Sequence, residues 1–133
     1  MRRHRRMPLG DLELAVLDRL WAGGPAEVSA MHAAVGSARG ISPNTVHSAL
    51  ERLVRKQLAE RSRSGRAYEY RAAVSRRDWL ARCFDGVASE LPGASAETLF
   101  VAFVDLAERV GPDALAELER LVRERRLGRG GRP

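Results

Sequence analysis

The chain has 133 residues, 44% of them apolar and 30% charged, which suits one compact soluble domain or a small domain with a helical appendage. Its most apolar run, Leu99 to Ala107, contains Asp105 and is too short to span a bilayer. The basic opening Met1-Arg2-Arg3-His4-Arg5-Arg6 is like a signal-peptide n-region, but Asp11, Glu13, Asp18 and Arg19 interrupt any apolar h-region, so a cytoplasmic location without membrane contact is expected.

The single cysteine, Cys83, excludes an intramolecular disulfide and a multi-cysteine metal cage. No metal and no cofactor is expected. The formal charge is +6, and all of that excess lies in residues 1–74; residues 75–133 are balanced. A basic half points to a polyanionic partner, nucleic acid first.

Residues 1–8 read as a flexible basic arm, and Met7 is a second candidate start. Asp11 to Ala22 reads as a helix, with Asp11 as N-cap and Leu12, Leu14, Val16, Leu17, Leu20 and Trp21 giving a wide apolar face. Gly23-Gly24-Pro25 stops it. Ala26 to Val28 is expected to be extended. Ser29 is the expected N-cap of a short helix to Val35, with Met31, Ala34 and Val35 inward and Gly36 as the residue after its end.

Ser42-Pro43 is a strong helix start, cap then first-turn proline. The helix is expected to reach Gln57. Val46, Leu50, Leu53, Val54 and Gln57 share one face; Asn44, Ser48, Glu51, Arg52 and Arg55 share the other. Leu58–Arg63 and Arg66–Arg71 alternate like strands around Ser64-Gly65, which predicts a hairpin with Leu58, Tyr68 and Tyr70 supplying its apolar contacts.

From Ser75 onward the pattern is helical. Ser75-Arg76-Arg77-Asp78 resembles a capping box, and Leu80, Phe84, Val87 and Leu91 recur at helical spacing before Pro92-Gly93. Further helices are expected over Ser95–Val110 and Asp113–Arg126, with a disordered Gly/Arg-rich ending from Gly128.

The order of helix, short strand, two helices and hairpin is that of a winged helix-turn-helix. The predicted class is mainly α with a small β-hairpin wing: a DNA-binding domain over 9–73, a three-helix dimerisation region over 74–126 and a tail over 127–133. A major groove about 12 Å wide admits one helix, whose N-terminal end must offer short polar side chains to base edges. Asn44, Thr45, His47 and Ser48 are the candidate base readers. Ser42, Arg52, Arg55, Lys56, Arg61, Arg63 and Arg66 are the candidate phosphate contacts.

The run Leu99-Phe100-Val101-Ala102-Phe103-Val104 is apolar on every side, so a helix made of it must be covered all round. Three helices can hardly do this alone. A homodimer interface is therefore expected at Leu80, Phe84, Val87, Leu99, Phe100, Phe103, Val104, Leu118, Leu121 and Val122. A dimer would also let two recognition helices read a two-fold site.

Several segments carry a family resemblance: Leu9-Gly10-Asp11-Leu12-Glu13, Val16-Leu17-Asp18-Arg19-Leu20-Trp21, Thr45-Val46, Leu50-Glu51-Arg52-Leu53-Val54-Arg55-Lys56 and Gly65-Arg66-Ala67-Tyr68-Glu69-Tyr70. In their order and spacing they resemble the penicillinase-repressor family of winged-helix regulators. The resemblance implies a homodimeric repressor of a two-fold operator, released by an upstream sensor or protease. In the best-known members a membrane-bound β-lactam sensor leads to cleavage at an Asn-Phe bond; Ala102-Phe103 stands at the similar place here, without the Asn. A copper-responsive branch carries C-terminal cysteines, which this sequence lacks. Gln57 stands where the family usually has Gly, which implies a left-handed residue or a different helix end. His47 and Ser48 occupy variable positions, implying a distinct operator.

Two other classes are weighed. An enzyme would have to use Cys83 with His4, His32 or His47, but no nucleophile, acid and base converge in spacing, so no catalysis is expected. A winged-helix module for protein or RNA without operator specificity is the alternative. The polar end at Asn44–Ser48 disfavours a protein-only partner, and the narrow A-form major groove excludes a reading helix.

Overall fold

The computed structural model describes residues 9–90, 93 and 95–130. Residues 1–8 of the expected arm, Leu91 of the expected apolar stripe, Pro92 of the expected Pro92-Gly93 break, Ala94 and the last three residues of the expected tail lie outside the described residues. The order is α1 (Asp11–Gly23), α2 (Val28–Met31) running into a π-turn (His32–Gly36), α3 (Pro43–Arg55), β1 (Ala59–Ser64), β2 (Ala67–Ala72), α4 (Arg76–Glu90), α5 (Ala96–Val110) and α6 (Ala114–Gly130). The chain divides into two units, residues 1–86 and 87–133.

The first unit holds the core. Val16, Leu17 and Leu20 of α1, Met31, Val46, Ala49, Leu50 and Leu53 of α3, Leu58 and Tyr70 are buried together. Removing each large apolar side chain from water contributes about 1.5–3 kcal/mol. Trp79 of α4 is 4% exposed and belongs to the same core, with Cys83 at its edge. The first half of α4 thus packs with the preceding elements, beyond residue 73 where the sequence placed the domain boundary. Trp21 fixes that junction: its indole N–H donates to the Val74 carbonyl at 2.8 Å, and the Arg76 guanidinium lies 5.2 Å from its ring while pairing with Asp18 at 2.8 Å.

Helix ends follow local chemistry, not always as expected. The N-cap of α1 is Gly10, not Asp11: Gly10 is extended (φ −71°, ψ 167°), and its N–H donates to Glu13 Oε1 at 3.0 Å. The cap of α2 is Glu27, not Ser29, because Ala26 is held by a bridge to Tyr70 and the chain turns helical directly after it. Ala34 is exposed, while Met31 and Val35 pack inward. The helix widens into the π-turn with Gly36 inside it, where a Cβ would lie 2.6 Å from the His32 ring and 2.8 Å from Val46 Cγ2. Only glycine fits that crossing, and the left-handed residue falls instead at Gly40 (φ 67°).

Ser42 caps α3 by accepting from the Thr45 N–H at 3.2 Å, with Pro43 at the first position. The helix stops at Arg55, and Gln57 takes φ 63°, so it is exposed and does not join the apolar face. The hairpin pairs Ala59 with Ala72 through Ser64 with Ala67, leaving a two-residue loop, Gly65-Arg66, with Gly65 at φ 64°. Leu58 and Tyr70 are buried, but Tyr68 is 38% exposed.

Ser75 caps α4 through the Asp78 N–H at 3.0 Å, and Ser95 caps α5 through the Thr98 N–H at 3.1 Å. In the second unit α5 and α6 pack on each other around Ala107. The last helix continues to Gly130, past Arg126, so the ending from Gly128 is helical as far as it is described. Ion pairs at helical spacing, Arg120 with Glu117 and Glu124 and Arg123 with Glu119, line it.

Candidate nucleic-acid interface

Helix α3 buries Val46, Ala49, Leu50 and Leu53 against α1 and α2. Periodicity then turns Asn44, Thr45, His47 and Ser48 outward, and all four are exposed at its N-terminal end. The four candidate base readers therefore share one surface. The Thr45 hydroxyl is 3.1 Å from that of Ser42, whose oxygen is already occupied by capping. The candidate anion contact at Ser42 is thus a structural cap first.

The candidate phosphate contacts fall into two groups. Arg55 and Arg66 are exposed and make no ion pair among the described residues, while Arg63 lies over the Tyr68 ring at 5.4 Å. Arg52, Lys56 and Arg61 are instead held by carboxylates. Glu13, 7% exposed, receives Lys56 at 3.0 Å and Arg52 at 3.4 Å on the oxygen opposite its Gly10 contact. Burial pushes the Glu13 carboxyl upward, but the Gly10 N–H, Lys56 and Arg52 outweigh it and hold it below the usual carboxylate range.

Glu51 is the second such carboxylate. It receives the Tyr70 hydroxyl on Oε2 and Arg61 Nη1 on Oε1, each at 2.5 Å, and His47 Nε2 stands 3.8 Å away. The Tyr70 hydrogen bond, followed by Arg61, lowers its pKa. The same burial and hydrogen bond raise Tyr70 to about 12. Hairpin register brings these groups together, because Arg61 pairs directly with Tyr70 and Arg63 with Tyr68. Arg61 also lies 4.7 Å from the Tyr68 ring. A cleft of about 360 Å³ lies where Glu27 and Ser29, His47 of α3, and Arg66 and Tyr68 of the hairpin meet.

The sequence placed Glu51 on the outer face of α3 without showing that it holds Arg61, and the roles of the buried Glu13 and Tyr70 beneath this surface were not visible in it. The His47–Glu51 spacing of four was a visible signal for one contact. The partners from the hairpin were not visible, since they depend on strand register. Of the other residues weighed for chemistry, His32 bonds the Ile41 carbonyl at 2.8 Å, and Cys83 is half-buried with its thiol pKa raised by burial. Among the described residues no group of three His, Cys, Asp or Glu could hold a metal.

The expected interface positions Leu80 and Phe84 of the first unit are exposed. In the second unit Val87, Phe100, Phe103, Val104, Leu121 and Val122 are exposed, and Leu99 and Leu118 are half-buried.

Three helices with a two-stranded wing, a third helix presenting a polar N-terminal end, and cations at its far end and on the wing define a winged helix-turn-helix protein. The penicillinase repressor family matches residues 9–124. The transcriptional regulator BlaI of Mycobacterium tuberculosis is 38% identical over 128 residues, covering 94% of this chain and 90% of that protein. The chain belongs to the penicillinase repressor family. Among solved structures, the transcriptional regulator Tm0710 of Thermotoga maritima shares the fold at a TM-score of 0.50, with 12% identity over 88% of this chain and 73% of that one. The DNA-binding domain of the repressor BlaI matches 57% of this chain and 93% of its own at a TM-score of 0.49 and 21% identity.

Proposed function

We propose that this protein is a sequence-specific DNA-binding transcriptional regulator, a non-enzymatic repressor that holds a two-fold operator as a homodimer. The observation that carries the reading is the surface of α3: Asn44, His47 and Ser48 stand exposed at its entering end, and Arg55, Arg63 and Arg66 lie on the helix and wing behind them. The first set suits base edges and the second suits phosphates. A cytoplasmic location fits this role, and among the described residues no helix is long and apolar enough to cross a membrane.

Dimerisation follows from the second unit. Phe100 is 67% exposed, Val101 54% and Val110 73%, so α5 leaves large apolar groups in water unless a second copy covers them. An upstream sensor or protease is the proposed releasing partner. Ala102-Phe103 lies inside α5, and cleavage there would require local unfolding of that helix.

The test is enrichment of duplexes from a random-sequence pool by the purified protein. A two-fold motif bound far above random duplex supports the reading. Equal binding to all duplexes, or preference for RNA of the same sequence, overturns it.

A further inference from the structure

We infer that Glu51 is a specificity-determining residue: an anchored anion at the junction of α3 and the wing that withholds Arg61 from the phosphates of non-cognate DNA. The inference rests on the DNA-binding reading above.

The geometry has three parts. First, the carboxylate is fixed. Tyr70, fully buried, donates to Oε2 at 2.5 Å, so Glu51 cannot swing away with its cationic partner. Second, its other oxygen holds Arg61 at 2.5 Å, and Arg61 also stacks at 4.7 Å on Tyr68. Third, His47, among the candidate base readers, stands 3.8 Å from the same carboxylate. One anion on α3 therefore faces both a candidate base reader and the wing.

Binding to random DNA is driven by cations that neutralise phosphates and release counterions. A guanidinium already paired with a fixed carboxylate adds little to that drive. To reach a phosphate it must leave Glu51, and the bare carboxylate then faces the DNA backbone. Cognate DNA differs because base contacts from Asn44, His47 and Ser48 seat α3 in one register. That seating brings a phosphate to Arg61 without requiring electrostatics to find it. Glu51 thus penalises loosely seated complexes more than seated ones, which is discrimination by an unfavourable contact.

Glu13 holds Lys56 and Arg52 in the same manner, anchored by the Gly10 N–H. It is less suitable as a probe because it also caps α1. Glu51 occupies mid-helix and caps nothing.

The experiment compares wild type, E51Q, E51D and the double variant E51Q/R61A. Each is titrated with salt against a random-sequence duplex and against the duplex enriched by wild type. E51Q is expected to bind random duplex more tightly, with a log–log salt slope steeper by about 0.9, so its advantage grows about 3.5-fold between 200 and 50 mM salt. The ratio of cognate to random affinity falls. E51D keeps the charge and stays near wild type in that ratio, and R61A added to E51Q abolishes the gain. Thermal melts check that each variant is folded, a readout separate from slope and ratio. An unchanged random-duplex slope in folded E51Q overturns the inference, as does a gain that survives removal of Arg61. Failure of the wild type to enrich any duplex would instead overturn the DNA-binding reading itself.

Discussion

Lys56 Nζ and Glu13 Oε2 meet at 3.0 Å across 43 residues of sequence, pinning the end of α3 to the start of α1. The other oxygen of Glu13 caps Gly10, so one side chain sets both a helix start and the position of α3.

Substitution at Glu13 should therefore cost more than substitution of its partner. Glu13→Ala leaves the Gly10 N–H without its acceptor and two cations without their anion, and about 1–3 kcal/mol of stability is expected to be lost. Lys56, 44% exposed, should cost under about 1 kcal/mol when replaced by Ala. Urea denaturation of the two variants checks the order.

The same carboxylates predict an acid-side dependence. Glu13 and Glu51 both have folded-state pKa values held below the ordinary 4.5. The stability they contribute is present above about pH 4.5 and is lost as pH falls through their lowered values. Glu51→Gln and Glu13→Gln should each flatten stability against pH below 4.5 and leave its shape near neutrality unchanged. Tyr70 gives the opposite edge: its value of about 12 means stability declines as pH rises from 10 to 12, and Tyr70→Phe should reduce that decline.

Gln57 adopts φ 63° at an exposed position. An L side chain in that region costs about 1–2 kcal/mol, which glycine avoids. Gln57→Gly should raise stability by about 1 kcal/mol with no change in DNA affinity, as read from the urea midpoint and a binding titration. Both outcomes that the resemblance left open at Gln57 occur, since α3 stops at Arg55 and Gln57 is left-handed, whereas the helical periodicity had carried the helix through it.

Residues of the interface should separate by role. Asn44→Ala or Ser48→Ala should shift base preference in a selection from random duplexes. Arg55→Ala or Arg63→Ala should weaken binding to every sequence and lower the salt slope by about one. A change of preference alone at Arg55 would contradict its assignment to phosphate.

Phe100→Asp probes the proposed dimer face. Phe100 is 67% exposed in the protomer, so its loss removes little from the protomer's own packing. Two copies buried in a two-fold interface are worth about 3–6 kcal/mol, over a hundredfold in Kd. Sedimentation at micromolar concentration should show monomers, with operator affinity reduced in parallel.

The fold was legible where the signal was local. The Ser42-Pro43 start, the apolar stripe of α3 and the alternation around the wing each fix an element from a few neighbouring residues. Domain class followed from their order. Boundaries set by distant contacts were not legible. Glu27 caps α2 where Ala26 is tied to Tyr70, and the π-turn admits only glycine at Gly36, where a Cβ would meet His32 and Val46. For the interface, the outward polar face was readable from helical period. The division of cations into held and exposed was not, since Arg61 reaches Glu51 only through the pairing of Arg61 with Tyr70.

A duplex read by two copies of α3 has a distinct two-fold footprint. Hydroxyl-radical footprinting of the purified protein on the duplex it enriches tests this most directly. Two equivalent protected patches are expected, centred about 34–36 Å or a multiple of that apart along one face. A single patch, or uniform protection that vanishes in moderate salt, would show that α3 does not read a two-fold site.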